Sequence, residues 1–287
     1  LLFGYTGLMS FGHAAYYGMG AYAGAFLFSF GDMMSLEAHL ASGVLAATAL
    51  AAVFGLLCVQ TTRIFFTILT LALAQVVHSL FVSGAVFLPF GERGKGFFYI
   101  GYGGFYIPRF TLLGTDLPPE VFNTAFYYVV LAAFLASVAV MWRLVHSPFG
   151  LALRAIRDNV ERAAFIGIPV RQCCWGAFVL SAAFTGLAGA LAGQLDRQVT
   201  PQQLNWPFSA YLVVATMLGG KSYFWGPVVG AFAVVAIKEI TSRFTDYYNL
   251  LLGSVFVIIV LFAPAGLVGA AGSLATGVTR IALWLRR

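Results

Sequence analysis

The sequence predicts an all-α integral membrane protein. It reads as a polytopic bundle of about eight transmembrane helices in a single domain, residues 1–287, with a charged cytoplasmic helix set between two spans. Three observations lead there. Of the 287 residues, 61% are hydrophobic and 9% are charged, and the mean hydropathy is +0.90. Soluble domains carry about 25% charged residues, and no globular core of this size could hide so much apolar surface. Apolar windows of about 20 residues recur, the length that crosses about 30 Å of hydrocarbon at 1.5 Å per residue. Finally, Lys and Arg gather in alternate connections, the bias of cytoplasmic loops. The formal charge of +6 therefore reports orientation in a bilayer rather than affinity for nucleic acid.

In chain order the windows are 14–30, 40–59, 64–88, 122–145, 173–194, 224–240 and 249–263. Residues 209–220 are apolar but short, and read as a tilted span or a broken helix buried among the others. Arg63, the group Arg143, Arg154, Arg157, Arg162 and Arg171, and the terminal Arg280, Arg286 and Arg287 mark the cytoplasmic side. Residues 31–39, 89–121 and 195–207 show no cationic excess and fall outside. The alternation closes if 209–220 crosses. Leu1 lies inside an apolar motif without Met or a charged flank, so a further N-terminal segment is expected before it, and no signal-peptide pattern is read.

Small residues sit inside the spans. Gly20/Gly24, Gly189/Gly193 and Gly226/Gly230 are G-x-x-x-G pairs, which let helices approach closely where lipid supplies no hydrophobic drive to associate. A weak echo relates Gly7, Ser10, Phe11, Gly18 and Ala21 to Gly219, Ser222, Tyr223, Gly230 and Ala233 at a constant offset of 212, as duplicated transporter halves would. Cys58, Cys173 and Cys174 form no C-x-x-C pair and read as structural.

The stretch 147–169 stands apart, with three Arg, one Asp and one Glu between 154 and 162. Ser147 and Pro148 end the fourth span and open a new helix. Phe149, Leu153, Ile156, Val160 and Ala164 form an apolar stripe at helical spacing. The other side pairs Arg154 with Asp158, Arg157 with Glu161 and Asp158 with Arg162, each at i,i+4. Gly167 and Pro169 stop the helix. An amphipathic helix in this place can lie on lipid, pack against its own protein, or dock into a soluble partner.

Two further groups are candidates for a transport path. Gln75, His78, Ser79 and Ser83 share one side of a helix, and polar groups in a bilayer usually face the bundle interior or a cavity. Helix–helix hydrogen bonding is the competing reading. Ser10 and His13 stand at the mouth of the first span, and His13 has no second ligand at metal spacing. The run 215–222, Ala-Thr-Met-Leu-Gly-Gly-Lys-Ser, approaches a phosphate-binding loop but has Ala215 for the first Gly, and lacks a soluble strand before it. Lys221 reads instead as an interfacial anchor or helix-break element. The aromatic-rich segment 89–121 reads as a long external loop that contacts an external binding protein or a partner membrane subunit, or folds over the bundle as an aromatic belt. No paired carboxylates, H-E-x-x-H or G-x-S-x-G occur, so no catalytic residue, metal ligand or cofactor is expected.

Gly150-Leu-Ala-Leu-Arg-Ala-Ile-Arg-Asp-Asn159, followed by Glu161-Arg-Ala-Ala and Gly167-Ile-Pro, closely resembles the coupling loop of branched-chain amino acid ABC importer permeases. Gly4-Tyr-Thr-Gly-Leu-Met-Ser-Phe-Gly-His13 and Gly18-x-Gly-Ala-Tyr22 resemble the M-type (LivM) rather than the H-type (LivH) subunits. Leu218-Gly-Gly-Lys-Ser, Gly226-Pro-Val-Val-Gly-Ala231 and Leu261-Phe-Ala-Pro-Ala-Gly-Leu267 are similar to that family's C-terminal half. One departure is Val160, where an acidic residue often follows the Asn, with Glu161 next to it.

The resemblance implies a type II ABC importer-like permease domain in a bacterial inner membrane, with coupling loop 146–172 and external loop 89–121. It implies a second, LivH-like permease, two cytoplasmic ATP-binding subunits of the LivG and LivF kind, and an external solute-binding protein that delivers an amino acid. It assigns ATPase coupling to Gly150, Leu153, Arg154, Ile156, Arg157, Asp158, Asn159, Glu161 and Gly167. Rivals are a urea, amide or aromatic-acid importer of the same superfamily, and an ion-coupled secondary transporter, which needs no docking helix.

Overall fold

A computed structural model of the chain describes residues 1–31, 35–61, 63–83, 88–89, 97–98, 104–107, 109–111, 115, 118–243, 250–251, 253–254, 257 and 266–270. The described chain is almost wholly helical. Its helices are α1 (His13–Gly31), α2 (Leu36–Cys58), α3 (Arg63–Val82), α4 (Pro119–Val145), α5 (Pro148–Asp158), α6 (Val160–Phe165), α7 (Val170–Asp196), α8 (Trp206–Gly219) and α9 (Gly226–Ser242). A π-helical turn, Leu2–Thr6, precedes α1. Four of these helices, α2, α3, α4 and α7, are long and apolar enough to cross a membrane. The expected window 249–263 lies largely outside the described residues. With 14 residues, α8 reaches about 21 Å, short of a hydrocarbon core. The length supports the broken-helix reading of 209–220.

The chain divides into two compact units, Leu1–Ser209 and Ala210–Arg287. In the first, α1, α2 and α7 form the centre, and small residues explain their closeness. The buried stripe of α2 is Leu36, His39, Gly43, Ala47, Ala51, Gly55 and Cys58, one residue per turn, and it faces α7 through Ala47 against Gly186 and Gly43 against Ala190. Where α1 meets α7, a β-carbon on Gly20 would overlap the Gly186 carbonyl, and one on Gly189 would overlap the Tyr17 carbonyl. Two apolar cores lie along this unit. One gathers Tyr22, Leu36, Val77, Phe81, Ile107, Phe110, Phe122 and Leu204. The other gathers Leu2, Leu8, Tyr16, Phe66, Leu153, Ile156, Ala163 and Phe178. The second core thus includes α5 and α6. By contrast α4 buries Phe122, Phe126 and Val145 but leaves most of its length exposed. Beside α7 it borders an apolar cleft of about 330 Å³, lined by Val130, Phe134, Ser137, Phe184, Leu187 and Leu191.

In the second unit Ala215, Leu218 and Val234 form the core. Gly226 and Gly230 pack on the backbone of 215–220. The echo at offset 212 falls on similar local structure. Gly7, at φ 72, ends the π turn six residues before α1; Gly219 ends α8 seven residues before α9, with Gly220 at φ 115. Each is a helix end, a positive-φ glycine, a short turn and a new helix start, but the glycine and the helix start are shifted by one residue from the offset of 212.

The described residues of 89–121 make short strand pairings and backbone bonds. Leu88–Pro89 pairs antiparallel with Phe97–Phe98, and Phe105–Tyr106 with Gln198–Val199. The Ile107 amide donates to the Arg197 carbonyl at 3.0 Å, and the Leu36 amide to the Thr111 carbonyl at 3.0 Å. Ile107 and Phe110 are buried. Apolar residues 107 and 110 therefore tie the segment to the ends of α2 and α7. Arg197, at φ 55, donates from Nη2 to the Tyr106 hydroxyl at 2.8 Å and lies 5.6 Å from its ring centroid. Residues 99–103 of the aromatic run lie outside the described residues.

Candidate functional site

The charged stretch folds as two helices, not one. Ser147 caps α5, its hydroxyl accepting from the Gly150 amide, and Pro148 occupies the first turn, where its missing N–H costs nothing. The expected single helix then breaks at Asn159, which adopts φ −156 and ψ 112. Its side-chain oxygen accepts from the Arg162 amide at 2.9 Å and so caps α6. An Asn side chain competes with the helical backbone in this way, and a break of one residue resets the phase of everything after it. Leu153 and Ile156 are buried at 0% and 2% exposure, but Val160 and Ala164 turn outward and Ala163 turns inward. Asn159→Ala is expected to cost about 1 kcal/mol through the lost cap, read as a lower melting temperature.

Among the described residues the expected i,i+4 ion pairs do not form: the break separates Arg157 from Glu161 and Asp158 from Arg162, while Arg154, within α5, turns away from Asp158. Arg157 Nε instead meets Asp158 Oδ1 at 3.3 Å. Arg154 turns inward: Nη2 donates to the Val145 carbonyl at 2.9 Å, and its guanidinium lies 5.5 Å from the Tyr5 ring centroid. Arg157 Nη1 donates to the Gly4 carbonyl at 2.7 Å. Burial pushes the Tyr5 hydroxyl above its ordinary pKa, and the cations Arg154 and Arg157 oppose that rise. Arg154→Glu with Arg157→Glu is therefore expected to destabilise the bundle by about 2 kcal/mol or more, since each loses charged donors to backbone carbonyls. An unchanged melting temperature would contradict this placement.

What α5 and α6 present outward is apolar and acidic-basic together. Phe165 is 90% exposed, Ile166 73% and Leu151 67%, and Asp158, Asn159, Glu161 and Arg162 are exposed between them. Of the residues assigned to coupling, Gly150, Leu153 and Ile156 form the buried base, Arg154 and Arg157 the internal fastening, and Asp158, Asn159, Glu161 and Gly167 the outer surface. Gly167, at φ 87, has no neighbour within 4 Å of a would-be β-carbon. Sequence reasoning missed Phe165 and Ile166. Their signal was two large apolar residues just before the Gly167 stop, off the apolar stripe.

The two polar groups, Ser10 with His13 and Gln75 with His78 and Ser79, stay separate. His13 Nδ1 meets Ser10 Oγ at 3.0 Å and Nε2 meets Ser181 Oγ at 2.8 Å. Gln75 Nε2 donates to His78 Nδ1 at 3.2 Å, while Ser79 is exposed. Among the described residues no hydrogen bond joins the two. Lys221 lies in an exposed turn after helix α8, where a phosphate-binding loop needs a strand. Among the described residues no group of three His, Cys, Asp or Glu is placed to hold a metal ion.

Residues 1–263 match the family described as "Branched-chain amino acid transport system / permease component". The high-affinity branched-chain amino acid transport system permease protein LivM of Escherichia coli (strain K12) is 25% identical over 92% of the chain and 64% of its own length. The LivH permease protein of Salmonella typhimurium is 22% identical over 94% of the chain and 88% of its own length. An L-arabinose ABC transporter permease protein, AraH of Azospirillum brasilense, is 28% identical over 79% and 64% respectively. The chain thus spans just under two thirds of the length of the LivM relative. No solved structure matches.

Proposed function

The chain belongs to the branched-chain amino acid transport permease family, a family of multi-pass membrane proteins, and from that premise we propose that it is the M-type membrane subunit of an ATP-driven importer. It pairs with a second, LivH-like permease, is driven by two cytoplasmic ATP-binding subunits, and receives a branched-chain or related hydrophobic amino acid from an external binding protein. It performs transport rather than catalysis, as one permease domain in a bacterial inner membrane.

One observation carries the reading: the knob formed by α5 and α6. Its base, Leu153, Ile156 and Ala163, is packed into the protein's own core, and its outer surface leaves Phe165, Ile166 and Leu151 uncovered beside charged residues. Large apolar side chains on an anchored, partly charged tip favour a protein partner over lipid alone. The knob joins α4 directly to α7, so a partner that moves it moves two long membrane helices without any chemistry in this chain. Ser10 and His13, and separately Gln75, His78 and Ser79, are the proposed polar linings of the path.

The test is reconstitution with both permeases, the ATP-binding subunits and the binding protein in proteoliposomes. ATP-dependent leucine uptake is expected, with Ile166→Cys cross-linking to an ATP-binding subunit; uptake driven by an ion gradient without ATP would support the secondary-transporter rival instead. The purified chain alone is expected to hydrolyse no ATP, and sustained hydrolysis would contradict the reading of Lys221. The AraH relative is named for a sugar, so related membrane subunits serve different solutes. The ligand of the binding protein decides between amino acid, urea, amide and aromatic acid.

A further inference from the structure

Helix α3 begins at Arg63, 93 residues before Ile156, yet its guanidinium sits against the end of α5. The break at Asn159 makes this possible. In a continuous helix the carbonyls of Ile156 and Arg157 accept from the amides of residues 160 and 161. Here those amides open α6, and α5 ends on uncovered carbonyls at the negative end of its dipole. Arg63 Nη2 donates to both, at 3.2 Å to Ile156 and 2.8 Å to Arg157. One cation caps the docking helix from the start of another helix.

The same junction grips the N-terminal segment. Arg157 Nη1 holds the Gly4 carbonyl, as described. Gly7, in left-handed conformation, packs so closely that a β-carbon would stand 3.3 Å from Arg157 Cγ and 3.6 Å from Arg63 Cζ. Along α3, Thr67 Oγ1 donates to the Met9 carbonyl at 2.9 Å, and the Phe11 amide donates to Thr70 Oγ1 at 3.3 Å. So the knob is joined to α4 and α7 through the chain, to residues 2–11 through Arg157 and the apolar core they share, and by hydrogen bonds to α3 through Arg63, while Thr67 and Thr70 fasten residues 9–11 to α3.

We propose that Arg63 is a positioning residue that carries displacement of the knob into α3 and the N-terminal segment, so that these move with the docking helices as one piece. The idea rests on the docking role proposed above. It concerns a part of the chain, 2–11 and 63–70, that no covalent link close to the knob would move.

The test uses the full reconstituted complex, with uptake and ATP hydrolysis measured on the same vesicles. Arg63→Ala is expected to assemble and hydrolyse ATP, with uptake per ATP lowered about fivefold, the order of effect expected for one residue coupling distant sites. Arg63→Lys, which keeps a charged donor, should recover most of it, and Arg63→Gln less. A merely structural role would lower the melting temperature and leave uptake per ATP intact, with no Arg, Lys, Gln, Ala order. Equal uptake per ATP across the series overturns the proposal. If the alanine variant fails to assemble, the Lys and Gln variants carry the same comparison. The Ile166→Cys cross-link separates the two claims: no cross-link with normal uptake strikes the docking reading, whereas a cross-link with unaffected Arg63 variants strikes this inference alone.

Discussion

Gly24→Ala is expected to destabilise the protein by about 3 kcal/mol, the upper range for overpacking a core. The cause is one buried side chain. His39, on α2, is fully buried, and a β-carbon on Gly24 would overlap its Nδ1. The ring cannot step aside. Its Nε2 donates to the Ala190 carbonyl of α7 at 2.8 Å, and it lies against Phe110 with centroids 4.9 Å apart. Since Nε2 carries the proton, Nδ1 is the bare nitrogen that faces Gly24, and among the described residues it has no hydrogen-bond partner. His39 thus pins three helices and the Phe110 region at one point. The measurement is thermal unfolding in detergent, where a fall of several degrees is expected. His39→Ala is destabilising by itself, because it leaves a cavity where the buried ring stood and removes the bond to the Ala190 carbonyl. In the double variant the overlap is gone, so the two effects should fall short of additive by about 1–3 kcal/mol. Strict additivity, or an unchanged melting temperature in Gly24→Ala, would show that the two residues do not meet.

Phe165→Glu with Ile166→Glu should abolish transport while leaving the fold intact. Both side chains are exposed, so their loss costs the isolated chain no more than about 0.5 kcal/mol each. At a partner surface the same residues act as apolar anchors, and removing one hot-spot residue typically costs about 2 kcal/mol, a weakening of about thirtyfold. Burying a glutamate in its place adds an unpaired charge. Binding of the ATP-binding subunits to the purified permease pair, followed by uptake in vesicles, reads both halves. Normal association in this variant would remove the tip from the interface. The contrast with Arg154 and Arg157 is informative: reversing those charges is expected to change stability first, because their donors go to Val145 and Gly4 within the chain.

Much of the architecture was legible. The apolar windows located α1 to α4, α7 and α9 to within a few residues at most ends, because spanning helices leave a signal of length and hydropathy that neighbours barely modify. The largest boundary error was at α3, which stops at Val82 rather than 88. Leu88 and Pro89 pair instead with Phe97 and Phe98, and an apolar run gives no sign of where helix yields to strand. The glycine pairs signalled close packing correctly, but not their partners. Gly20 meets Gly186 and Gly24 meets His39, pairings that cross between helices far apart in the chain.

The candidate site shows the division more sharply. Ser147 and Pro148 announced a helix start, and Gly167 with Pro169 a stop, through chemistry local to those residues. Whether the backbone continued through Asn159 was a contest between its side chain and the helical ladder, and the packing of Ala163 and the arginine contacts settled it. Every face assignment after that point depended on the outcome.

By itself, then, the order of residues determined that this chain lives in a bilayer, where its long helices begin, and that a charged element interrupts them. Composition and short-range hydrogen bonding suffice for each. The direction in which Arg63, Arg154 and Arg157 point, and the exposure of Phe165 and Ile166, were decided by the tertiary structure. A long cation takes whichever carbonyls are left open nearby, and those belong to segments brought together only when the chain has folded.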